Sequence, residues 1–71
     1  MIETRKFTDL WNSGAINKGE FARLMRGEGI SDSTVYKWTS GIARPSTGNR
    51  IIISMILKKM GINTAKGQYL F

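Results

Sequence analysis

The stretch from Lys18 to Gly41, KGEFARLMRGEGISDSTVYKWTSG, constrains the chain more than any other. It reads as two short helices joined by a glycine-bearing turn. Phe21, Ala22 and Leu24 or Met25 supply the apolar face of the first helix. Gly27-Glu28-Gly29 breaks that helix near Arg26, since glycine accepts the positive φ needed at a helix C-terminus and in a tight turn. Ile30 is expected to plug the core beneath the turn. Ser31-Asp32-Ser33 then gives the second helix a capped start. Val35 and Trp38, three apart, share one face, so both can be buried while Ser33, Thr34, Tyr36 and Lys37 lean outward.

The totals narrow what such a pair can belong to. Seventy-one residues are expected to make a single domain, residues 1–71, near the lower limit for a self-sufficient core. The chain has no cysteine and no histidine, which excludes disulfides and the usual zinc sites. Well-packed helices or a partner subunit must then hold it together. Its formal charge of +6 favours a polyanionic partner, most often nucleic acid, over a merely basic surface. The start, MIETRKFTDL, carries acids and lacks the apolar run of a signal peptide. Ile51 to Leu57 is too short to span a bilayer. A bacterial cytoplasmic or nucleoid location, away from membranes, is expected.

Along the chain, Met1 to Lys6 forms a short arm containing Arg5 and Lys6. Thr8 is expected to cap a first helix through Asn12, with Phe7 as the apolar residue before the cap. Phe7, Leu10 and Trp11 then share a face. Asn17 caps the second helix, and Glu20 completes a capping-box pattern. Gly41 suits a left-handed helix end. Pro45 keeps Arg44 out of helical geometry. Ser46 or Thr47 starts a fourth helix to about Met60. Its apolar positions, Ile51 to Ile53, Met55 to Leu57 and Met60, exceed one face and call for burial against helix 1, the tail or another subunit. Asn63 can cap a fifth helix through Tyr69 or Leu70; an edge strand formed by GQYLF is the alternative.

Three pieces in order carry a family resemblance: Asn17-Lys18-x-Glu20-Phe21-Ala22, then Gly29-Ile30-Ser31, then Ser33-Thr34-Val35-x-Lys37-Trp38 with Gly41 and Arg44-Pro45. From residue 17 to 62 the chain resembles the helix-turn-helix of the Cro and lambda-type phage repressors. The resemblance implies an all-α, compact, five-helix fold. One departure stands out. The family usually has three residues between the helix-2 alanine and the turn glycine, whereas Arg23 to Glu28 separate Ala22 from Gly29 here. Helix 2 must lengthen or the turn must loosen.

Enzymatic chemistry has little to draw on. No histidine or cysteine can serve as base or nucleophile, and the five carboxylates form no ligand pattern. No cofactor, metal or small-molecule substrate is expected. Gly27-Glu28-Gly29 lacks the spacing of a phosphate loop. A helix-turn-helix places the N-terminal part of its second helix on base edges in the major groove. By the resemblance these are Asp32, Ser33, Tyr36 and Lys37, with Thr34 at the margin. Lys37 suits guanine O6 and N7, and Asp32 suits cytosine N4 or a purely capping role. Asn17 and Lys18, Thr39 and Ser40, and Arg44 are the expected phosphate contacts, with Arg50 a further candidate. A solvated helix surface is the plain alternative for each. Arg23, Arg26, Lys58 and Lys59 are expected on solvated faces, and Trp38 in the core.

The resulting expectation is a sequence-specific double-stranded-DNA-binding regulator: a Cro-like repressor that occludes a promoter as a weak homodimer on a near-palindromic operator. Dimerisation would use helix 4 and Tyr69-Leu70-Phe71. An excisionase-like or architectural DNA-bending factor is one alternative. A protein-interaction module, such as an antitoxin or an inhibitor of a host protein, is another; its basic face would meet an acidic protein surface.

Overall fold

Phe7 decides where the first helix begins. In the computed structural model, which describes residues 3–64, helix α1 spans Phe7–Asn12 and Lys6 precedes it without a side-chain cap. The expected cap at Thr8 is therefore corrected: Thr8 lies inside the helix. The physical reason is burial. Within the helix Phe7 and Leu10 sit one turn apart and both are wholly buried. The Phe7 ring meets Trp11 and Phe21 with centroids 5.9 and 5.5 Å apart, and that contact outweighs one capping bond.

Helices α2 (Lys18–Gly27), α3 (Asp32–Thr39) and α4 (Thr47–Lys59) follow. Their starts obey local hydrogen-bond chemistry. The Glu20 N–H donates to Asn17 Oδ1 at 3.0 Å, the Thr34 N–H to Ser31 Oγ at 3.3 Å, and the Asn49 N–H to Ser46 Oγ at 3.3 Å. The second half of the expected capping box is replaced, because the Glu20 carboxylate accepts from the Arg23 guanidinium instead. That pair is three residues apart on one helix face, where a flexible arginine reaches readily.

Of the residues between Ala22 and Gly29, Arg23 to Gly27 are helical and belong to α2. The helix continues through Gly27, and only Gly29 in this segment takes a positive φ, of +80°. The Met25 carbonyl accepts from both the Glu28 and Ile30 N–H groups, so the reversal into α3 closes on hydrogen bonds. At the far end of α3, Gly41 turns the chain with φ +81°. An alanine at either glycine would carry strain.

Among the described residues the chain is all-α, with four helices and no strand. Five were expected. Thr64, which follows the expected cap Asn63, is not helical: the Glu3 N–H donates to the Asn63 carbonyl, and Glu3 pairs with Thr64 in an isolated parallel bridge. The rest of that expected helix, residues 65–70, and the Tyr69-Leu70-Phe71 end lie outside the described residues. Thr64 is also tied to mid-α4 through a 2.7 Å hydroxyl contact with Ser54.

One apolar cluster unites the four helices. It contains Phe7 and Leu10 from α1, Phe21 and Met25 from α2, Val35 and Trp38 from α3, and Ile53, Ile56 and Leu57 from α4, with Ile16 between α1 and α2. Ile51 and Met55, four apart on α4, are left out of it, each 54% exposed. Among the described residues no helix is long and apolar enough to cross a membrane. Trp38 is 5% exposed and ties α3 to this core. Trp38→Ala should cost ~3–5 kcal/mol, a large share of a small domain's ~5–15 kcal/mol. Denaturant titration followed by circular dichroism measures it; an unchanged midpoint would place the ring outside the core.

Candidate nucleic-acid interface

The core fixes which way α3 faces. With Val35 and Trp38 buried beneath, Asp32, Ser33, Tyr36 and Lys37 are exposed and Thr34 is half-buried. Tyr36 is 63% exposed. The Lys37 ammonium has no ion-pair partner among the described residues, while its carbonyl accepts from the Ala43 N–H at 3.1 Å and anchors the loop beyond the helix. Ser31 Oγ lies 3.1 Å from Ser33 Oγ and 3.0 Å from Thr34 Oγ1, so the capping cluster shares its hydroxyls.

Asp32 is occupied. Arg26 Nη1 lies 2.9 Å from both carboxylate oxygens, which ties the C-terminal end of α2 to the first turn of α3. Arg26 was expected on a solvated face; it is exposed but paired. The pair neutralises the one carboxylate on the outward surface of α3. No sequence spacing signalled it, because the partners lie six residues apart across a turn.

The expected phosphate-binding residues divide. The Asn17 Oδ1 is spent on its cap, whereas its Nδ2 has no partner among the described residues. The Lys18 ammonium sits 5.4 Å from the centroid of the Trp11 ring, within cation–π range. Thr39 and Ser40 both donate their hydroxyls to the Tyr36 carbonyl, at 3.1 and 2.7 Å, so meeting a phosphate requires them to rotate. Arg44 is exposed and outside every ion pair of the described residues. Arg50, the further candidate, donates its Nε to the Pro45 carbonyl at 3.1 Å and so braces the loop that carries Arg44.

Two depressions flank this surface, at opposite ends of α1. An open groove of about 420 Å³ runs between the end of α1, the start of α2 and α3, with Trp11, Ala22, Val35 and Tyr36 along it and Lys18 at its edge. A smaller cleft of about 190 Å³ lies between the start of α1 and the loop after α3. Among the described residues, no three acidic, histidine or cysteine side chains converge on a potential metal site.

The N-terminal arm is clipped down. Arg5 Nε and Nη2 donate to the two Glu3 carboxylate oxygens at 2.9 and 3.0 Å, and Arg5 Nη1 lies 3.5 Å from Ser13 Oγ. Hence the arm's two cations differ: Arg5 is paired, and Lys6 belongs to no ion pair of the described residues. No protein-family model matches the chain, and no match was found among curated proteins or solved structures. The residues and their placement alone carry the functional argument.

The clip has a pH signature. The Arg5 side chain, joined by the Arg5 backbone N–H, holds the Glu3 carboxyl down at about 2. A lowered folded pKa means that the clip's contribution is present above the unfolded value of ~4.3 and is lost as pH falls toward the folded one. The Arg5 Nε–H resonance should therefore titrate with a midpoint near 2, and Glu3→Gln should abolish the transition. A midpoint at the ordinary carboxylate value would show that the clip does not form in solution.

Proposed function

We propose that this chain is a sequence-specific double-stranded-DNA-binding regulator of the helix-turn-helix kind, with α2 and α3 as the helix pair and the whole chain serving as one such domain. The observation that carries the reading is the outward surface of α3. It is a capped helix with an apolar underside, an exposed Tyr36, a Lys37 outside the ion pairs of the described residues and its only carboxylate neutralised by Arg26. Nothing on that face repels a polyanion strongly. The resemblance to Cro and lambda-type phage repressors points the same way.

In this reading α3 enters the major groove. Lys37 donates to guanine O6 and N7, Tyr36 meets a thymine methyl or a phosphate, and Ser33 and Thr34 contribute weaker discrimination. Asp32 reads cytosine N4 only if Arg26 releases it. Lys18 and Asn17 engage phosphate on one side, Arg44 on the other, with Thr39 and Ser40 between them. Phosphate contacts fix orientation, and base contacts give specificity. A homodimer would place two recognition helices about one helical turn (~34 Å) apart on a near-palindromic operator and occlude a promoter. The exposed Ile51 and Met55 on α4 support a pairing surface.

Selection from a random duplex pool tests the reading, and a palindromic consensus is the expected result. On the selected site Lys37→Ala should cost ~1–3 kcal/mol and on random duplex little. Equal losses on both would make Lys37 a phosphate contact. Absence of any enriched sequence, together with binding indifferent to salt, would turn attention to an acidic protein partner instead.

A further inference from the structure

The smaller cleft joins two cations that lie far apart in the chain. Lys6 and Arg44 line it together with Thr8, Trp38, Gly41 and Pro45, and no carboxylate of the described residues lines it. Neither cation belongs to an ion pair of the described residues, although Arg5, Arg23 and Arg26 each do. Both backbones are anchored. The Lys6 carbonyl accepts from the Leu10 N–H at 3.0 Å, and its neighbour Arg5 is clipped to Glu3. Arg44 sits between Ala43, whose N–H donates to Lys37, and Pro45, which is buried and braced by Arg50. The fold thus brings two like charges to one cleft with no counter-charge among the described residues. The cleft's volume of about 190 Å³ is below the ~300–1,000 Å³ of small-molecule sites and suits a single small anion.

We propose that this cleft is a phosphate site for the DNA backbone, with the Lys6 ammonium and the Arg44 guanidinium on the same phosphate and the Thr8 hydroxyl donating to it. The proposal rests on the DNA-binding reading and extends it. Lys6 and Thr8 join the interface, and α3 is held from both ends of α1: by Lys18 beside the groove and by this cleft beyond Gly41. Two anchored phosphates would fix the tilt of the recognition helix in the groove, which a single contact leaves free.

The test uses Lys6→Gln, Arg44→Gln, their double variant, and Lys59→Gln on α4 as a control, each checked for unchanged thermal unfolding. Binding to random duplex is measured across salt concentrations. Because both cations share one phosphate, each single variant should bind more weakly with little change in the log–log salt slope. The double variant should lower the slope by about 0.9, the value for one neutralised phosphate. Inorganic phosphate should shift the Thr8 and Ala43 amide resonances of the wild type but not of the double variant. If Lys6→Gln changes nothing and the double variant equals Arg44→Gln, the shared site is overturned. Slopes that fall separately by about 0.9 each would also overturn it, since they mean two phosphates. Phosphate-induced shifts without any effect of the variants on duplex binding would leave a small-anion site and remove DNA from it. A wild type that binds no duplex would instead sink the DNA-binding reading itself, whatever the variants do.

Discussion

The three-ring contact of Phe7, Trp11 and Phe21 is the interaction on which the rest of the structure depends. Its centroid separations, 5.5 to 5.9 Å, lie in the range where tilted and edge-on aromatic pairs attract. It draws α1, only six residues long, into helical form and fastens it to α2. A helix that short has little stability alone. With α1 in place, Val35 and Trp38 find an apolar surface, α3 is oriented, and its polar side faces outward. The chain has no cysteine for a disulfide, and among the described residues one apolar cluster joins the four helices around this contact.

The charges sort by chemistry. Three arginines are paired with carboxylates: Arg5 with Glu3, Arg23 with Glu20 and Arg26 with Asp32. Arg50 braces a loop carbonyl. Guanidinium, with its planar fork of donors, suits such geometric tasks, whereas lysine is a flexible, strongly hydrated point charge. Lys6, Lys18 and Lys37 remain outside the ion pairs, and with Arg44 they flank or top the α3 surface. Exposed pairs of this kind add little stability. Their consequence is spatial: they cancel charge in some places and concentrate what remains in others. The net +6 says only that positive charge is in excess, not where it is available.

What could be read from the sequence was what is local. The caps at Asn17 and Ser31 follow from side-chain oxygens three residues ahead of the N–H they accept, and of the two candidates Ser46 and Thr47 the cap falls on Ser46. The burial of Val35 and Trp38 follows from helical period. Hence the outward placement of Ser33, Tyr36 and Lys37 was legible, while Thr34, expected among them, is half-buried. The Thr8 cap failed because a tertiary contact at Phe7 prevailed over a local preference. Glu20 turned to Arg23, a partner its own spacing made available. The Arg26–Asp32 pair, the cleft that Lys6 and Arg44 both line, and the Glu3–Thr64 bridge depend on the path of the whole chain, and no spacing rule encodes that.

The Glu3–Thr64 bridge also has a mechanical meaning. It brings the two ends of the described chain side by side, so the bundle behaves as a loop closed by a small clasp. A load pulling those ends apart would reach the clasp first: the Glu3-to-Asn63 hydrogen bond, and the Ser54–Thr64 hydroxyl contact that fastens it to α4. The aromatic cluster would feel tension only after these had parted.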